Sequence, residues 1–420
     1  MTKNARHPVL FCLAFLTSAV HVSTAETGLS ARATLLHLAA PAPLDADEEG
    51  SAALQAIARR FNPAMALPIR EVWPVELRYA WHDGSDLIAR VEPGPEGPGD
   101  EQIVRAAGDL GAVDWSRLPH RRGDGRAIRY YVDAPGDDRS ETPGGRSGWR
   151  QRFAEIAQAG GPGAAPTASP YPPTQYVHAF WWNRAQGLLA IQYWFYYPFN
   201  EWVNHHEGDW EHIQVILKGE PGGRLLRAGA PAAWTPIGFH YFFHDFYFEP
   251  PLVPRFAGAT PGEDHPLVFV GGQSEWFGFS GVQSGGSYPL PGRYPGAAFN
   301  IPWLSPDDDT SQPARFIAAA DFKLIVLPEP ERLDAQRFPE LSWLRLPFYV
   351  GRRAGFRNLP GTDEACGRPP LQPAARAEWG GPPPYPHWTG HVRLGTAAQA
   401  RWPASWTCAH PGDRRSCLSI

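Results

Sequence analysis

The chain has 420 residues, a formal net charge of −5, and 43 Gly and 46 Pro. That length allows one large elaborated domain or two, and the weight of turn formers favours a turn-rich β protein over a helical one. The acidic balance, with no basic stripe, argues against a general nucleic-acid binder, and no stretch reaches about 18 uninterrupted apolar residues, so no transmembrane segment is expected.

Residues 1–25 read as an export signal. Lys3, Arg6 and His7 form a basic start, residues 8–20 an apolar core, and Ser23-Thr24-Ala25 a small-residue cleavage site before Glu26. The expected destination is secreted or periplasmic. Cleavage removes Lys3 and Arg6 and no acid, which moves the formal charge from −5 to −7. The cysteines left are Cys366, Cys408 and Cys417. An odd count allows one disulfide at most, and Cys408 with Cys417 needs only a short local loop.

Three regions are expected beyond the signal: a β-rich N-terminal region over 26–165, a β-sandwich core over 166–330, and a Pro/Trp-rich C-terminal region over 331–420. The fold class expected is mainly β, an antiparallel sandwich with Pro/Gly-rich loops and a few short helices. In chain order, residues 51–61 predict a helix behind an acidic approach. Residues 69–92 alternate as strands around a turn at His82-Asp83-Gly84, with a loop over 93–99. A short strand is predicted over 127–132. Residues 133–148 are polar and Gly/Pro-rich, hence loop or disorder, and 160–173 is a second such stretch and the candidate domain boundary. Strands over 176–182 and 188–197 flank a turn at Asn183–Gly187.

The next stretch is densest in chemistry. An eleven-residue loop is expected over 198–208, followed by a strand over 209–217. Side chains alternate across a strand, so Asp209, Glu211, Ile213, Val215 and Leu217 share one face. Two carboxylates thus continue an apolar face, which costs several kcal/mol each, on the order of the usual penalty for a buried charge, unless a cation or firm hydrogen bonds compensate. His206 can turn back from the loop towards them. One imidazole and two carboxylates at a strand end suit Mg²⁺, Ca²⁺ or Mn²⁺ better than a thiolate zinc site; the bland alternative is a solvated strand end with a salt bridge to an arginine.

A fourth strand is expected over 237–248 with His240, Phe242 and His244 on one face, then a short apolar strand over 267–270. Residues 274–286 place Trp276, Phe277 and Phe279 in a Gly/Ser-rich loop. Asp307-Asp308-Asp309 lacks calcium-loop spacing and reads as a solvated turn. Residues 322–327 are the last expected core strand, and beyond Pro328 the scattered Trp residues imply a tail packed over the domain. There is no P-loop, dinucleotide Gly motif, nucleophile elbow or H-E-x-x-H helix.

Asp209-Trp210-Glu211, with His206 before it and Tyr196-Tyr197-Pro198 upstream, resembles the heptapeptide region of the necrosis-inducing (Nep-like) cytolysins. The fuller run of Gln192 to Phe195, Asn200, and His206 to Glu211 is similar to the vacuolar protein sorting-associated protein 62 family over about residues 170–217, and Ser284 to Pro289 resembles a second segment of that family with its His replaced by Gly285. The cytolysin resemblance implies a divalent cation inside a β-sandwich, held by His206, Asp209 and Glu211. Its further Asp aligns with Asn200, and Glu201 stands beside it. The cytolysins' second His is Gly208 here and their Arg is Glu207, departures that bear on toxin-like activity.

The leading expectation is therefore an exported protein with a divalent cation, Mg²⁺ or Ca²⁺, that binds a glycan or lipid headgroup, with Trp202 and Trp276 stacking beside it. The alternative is a metal-dependent hydrolase or lyase, in which His212, His240 or Glu207 moves protons. Glu201 and His244 complete the candidate outer residues. A third reading makes the cluster a loop-stabilising scaffold. Fold does not choose among these.

Overall fold

The computed structural model describes residues 40–81, 85–91, 100–105, 110, 113–134, 148–158, 165–202, 205–222, 231–244, 246–250, 255–257, 264–272, 274–276, 279–295, 307–351, 369–388, 392–393 and 406–407. The expected signal, the turn at 82–84, the loop at 93–99 and all four cysteines lie outside these residues.

A seven-stranded sheet dominates. Its antiparallel order runs Ala42–Pro43, Thr174–Asn183, Leu188–Asn200, His206–Lys218, Thr235–Phe243 and Phe246–Phe248, and Lys323–Val326 adds in parallel beside Thr174–Asn183. The hairpin of Thr174–Asn183 with Leu188–Asn200 has a tight turn for a local reason. Asn183 accepts from the Gln186 N–H at 3.1 Å and Gly187 takes φ +70°, which L side chains resist. A second sheet is built around Asp264–Val270, which pairs in parallel with Ala64–Leu67. A smaller sheet pairs Asp86–Val91 with Asp100–Arg105 and Ile128–Asp133.

The fold is thus mainly β, with an antiparallel sandwich at its core. Ile191, Tyr193, Ile213, Val215 and Tyr241 on one face of the large sheet share a cluster with Met65, Leu67, Val268 and Val270 of the second. Tyr241 ties the layers by donating to Leu267 O at 2.8 Å. Alternation sends Ala66, Leu267 and Phe269 to the far side of the second sheet, against Phe243, Tyr294 and Trp388. The main cluster runs from Leu44 to Val350 and so draws on both sides of the 160–173 stretch.

The helix expected over 51–61 is Ala52–Phe61, opened by Ser51, whose hydroxyl accepts from Leu54 N at 3.1 Å. Tyr193 anchors it to the sheet by donating to Ala58 O. Two expectations need correction. Leu77–Trp81 is a 3₁₀ helix and not a strand: alternation over 77, 79 and 81 suits a strand, but Ala80 is buried as well, and the segment buries Leu77, Tyr79, Ala80 and Trp81 together. Gly148–Ala157 is a second helix, where loop was expected over 133–148 and nothing beyond it. Its buried residues Trp149, Phe153 and Ala157 recur every four positions, a pattern present in the sequence. Among the described residues no helix is long and apolar enough to cross a membrane.

Candidate functional site

The central hairpin runs further than its sequence implies. Leu188–Asn200 and His206–Lys218 pair through Tyr197 opposite Asp209, Phe199 opposite Glu207 and Asn200 opposite His206. The loop expected over 198–208 therefore shrinks to the residues between Asn200 and His206. Gly208 makes this continuation feasible: it sits at φ +56°, and a side chain there would collide with Val350 O.

Asp209 and Glu211 emerge on the face that carries Ile213, Val215 and Leu217, as alternation requires, and are only 4% and 8% exposed. Burial pushes the Glu211 carboxyl well above its ordinary value of 4.5, and Asp209 adds to this, while the Arg376 guanidinium works against it. Tyr197, directly across from Asp209, is fully buried with a hydroxyl that has no hydrogen-bond partner. Burial raises its pKa, and Glu211 and Asp209 follow as causes, so the hydroxyl stands in the field of both carboxylates.

The loop at 284–286 closes over this pair. Gly285, at φ +78°, leaves no space for a side chain: a Cβ would stand 2.5 Å from Asp209 Oδ2. Asn200 is brought in as its alignment implied, yet with the opposite polarity. Its amide nitrogen donates to Asp209 Oδ2 at 2.9 Å and to Ser284 O at 2.6 Å, while its oxygen accepts from Trp202 N at 2.9 Å. Asn200 thus orients Asp209 and does not present an oxygen as a ligand. The His206 ring lies in the strand, not in a loop, with Nδ1 facing Gly208 O at 2.8 Å. Among the described residues, no group of three or more His, Cys, Asp and Glu stands in an arrangement that holds a metal.

The outer candidates scatter. Glu201 is paired with Arg150 from the helix Gly148–Ala157 and bridges to Gln283. Glu207 is buried where Gly351 packs on its backbone. His212 and His240 point to the opposite side of the sheet from Glu211, because each is an odd number of positions from it along the pleat or register. His212 is flanked there by Trp194 at 3.9 Å and Phe242 at 3.8 Å, both stacked, and neither of its ring nitrogens has a partner. Burial lowers its pKa well below 6.5, and Arg376 adds to this. Neither histidine can move a proton at the carboxylate pair.

His244 also departs from its expected strand face. The strand ends at Phe243, and Phe246 returns opposite it, so His244 occupies the turn at φ +50°. There it stacks on Trp202 at 4.5 Å and turns Nε2 to Asp308 at 3.3 Å. Trp202 is 1% exposed and is a packing residue, not a solvent-facing platform. Trp276 lies in the short strand Ser274–Trp276, and its side chain is outside the described residues.

Asp308 overturns the solvated-turn reading. Asp308–Asp309 pairs with Arg293–Tyr294, and Asp308 is 0% exposed. Its Oδ2 accepts from Ser284 Oγ at 2.6 Å and from the Tyr288 hydroxyl. Burial raises the Tyr288 pKa strongly, with Asp308 the next cause. The run of three acids was visible in the sequence, but nothing in its spacing connects it to residues 200–211.

No protein-family model matches the chain, and no curated protein matches it in sequence. Among solved structures, the crystal structure of the non-toxic HaNLP3 protein matches with 15% identity and a TM-score of 0.20. The match covers 46% of this chain and 65% of that one. This is a weak, partial likeness to a Nep-like protein, and at that score it bears on neither mechanism nor ligand.

Proposed function

We propose that the chain is an exported protein that takes up a divalent cation, Mg²⁺ or Ca²⁺, through Asp209 and Glu211, and uses it to bind a glycan or lipid headgroup. One observation carries this reading: two buried carboxylates two residues apart continue an apolar face beneath a glycine. Close negative charges in such a setting resist ionisation, and a cation relieves both penalties. In this reading His206, oriented through Nδ1 by Gly208 O, offers Nε2 as a further donor. The finer kinship with the vacuolar protein sorting-associated protein 62 family rests on the motif residues alone.

A cation that binds only the folded state stabilises by about 2.7 kcal/mol at a hundredfold excess over its dissociation constant. A chelator should therefore lower the melting temperature of the exported protein. Asp209→Ala should lose that response, and Asp321→Ala, at an exposed position, should keep it. An identical chelator shift in the parent and in Asp209→Ala would place the effect elsewhere. Cation-dependent retention on glycan arrays or on liposomes separates the two ligand classes; binding to neither removes the ligand half of the proposal. An intact Met1 on the exported protein would refute signal cleavage.

A further inference from the structure

We propose that Asp308, remote in sequence from the motif, is a positioning residue of the same cation centre: it fixes the 284–286 loop against Asp209 and adds a third negative charge. The inference rests on the cation reading above.

A continuous chain of hydrogen bonds joins the two acids. Ser284 Oγ donates to Asp308 Oδ2 at 2.6 Å, and Ser284 O accepts from the Asn200 amide at 2.6 Å. That same amide nitrogen donates to Asp209 Oδ2 at 2.9 Å. Any displacement of Asp308 is thus passed through one serine and one asparagine to the carboxylate that would hold the ion. The path is stiff because it is packed without slack. A Cβ on Gly271 would stand 2.5 Å from Asp308 Oδ2, and one on Gly285 would stand equally close to Asp209 Oδ2.

Two further features point to a ligand and not merely to a packed loop. Asp308 Oδ1 is buried without a partner, and so is the Tyr197 hydroxyl. A buried polar group left unmet is costly, so each invites a partner. Both flank one place: Ser284, bound to Asp308, precedes Gly285, whose Cβ position would meet both Asp209 and Glu211, and Tyr197 lies opposite Asp209 in the strand register. A cation brought to Asp209 and Glu211 gives the third carboxylate a favourable charge to act on. His244 backs Asp308 from its turn, in a backbone conformation that a residue with a side chain seldom adopts.

The test is calorimetric titration of Mn²⁺ into the full-length exported protein. Asp308→Asn, which keeps the shape and removes the charge, is expected to weaken Mn²⁺ binding at least tenfold, and Asp308→Glu to recover part of that loss. A purely structural role would not make affinity follow the charge. Should Asp308→Asn fail to fold, Ser284→Ala cuts only the tie between loop and carboxylate and is expected to weaken binding likewise. Parent-like affinity in the folded variants, with Asp209→Ala unable to bind, overturns this inference and leaves the cation site standing. A parent protein that binds no Mn²⁺ overturns both.

Discussion

At Glu211, burial sets how the protein responds to pH. Its carboxyl is held well above 4.5 by burial first and by Asp209 second. The folded state therefore keeps a proton that the unfolded chain has already released. Stability from this group is greatest below about pH 4.5 and is lost as pH rises through the raised folded value. A bound cation competes with that proton and is favoured in the opposite direction. In the presence of chelator, Glu211→Gln should thus be more stable than the parent at neutral pH, by on the order of 1 kcal/mol or more, the scale of a buried unpaired group. Urea titrations from pH 4 to 8 should show a decline in the parent that the variant lacks; parallel curves would remove Glu211 as the source.

At the scale of the element, the hairpin depends on Gly208. Its left-handed backbone alone disfavours a side chain by about 1–2 kcal/mol, and the collision with Val350 O adds to that. Gly222 provides the comparison, because it sits at φ +82° with open space around the position of a Cβ. Gly208→Ala should cost clearly more than Gly222→Ala in chemical denaturation, and equal costs would show that the contact with Val350 relaxes freely. Much of this part of the sheet was legible in the sequence. The Asn183–Gly187 turn, the strand periods and the shared face of Asp209, Glu211 and Ile213 all follow from local spacing. The length of the pairing did not, since Pro198 and Gly208 resemble loop residues until a partner strand and Val350 fill their surroundings.

Across the whole molecule, the C-terminal segment works as a strap on the face opposite the carboxylates. Trp379 stacks on His178 at 3.6 Å and donates to Glu329 at 3.0 Å, Glu378 O accepts from Gln192 at 2.6 Å, and Arg376 donates to Trp210 O at 2.6 Å. Trp379→Ala should cost about 2 kcal/mol, below the range of roughly 3–5 for a fully buried tryptophan because this ring is only half-buried. Faster amide exchange in Thr174–Asn183 should accompany the loss, and unchanged exchange there would show that the strap is not held by this ring. The aromatic tail was foreseeable from composition, whereas its seat on His178 and Gln192 was not. The sequence by itself determined the β class, the strand periods, the capped helix at Ser51 and the convergence of Asp209 with Glu211, because each depends on residues within a few positions. Only the tertiary structure decided that Asn200 turns its nitrogen to Asp209, that Trp202 is buried, that His244 leaves its strand and that Asp308 is enclosed. Those outcomes depend on which distant backbone fills the space beside each group, and no local period or spacing encodes that.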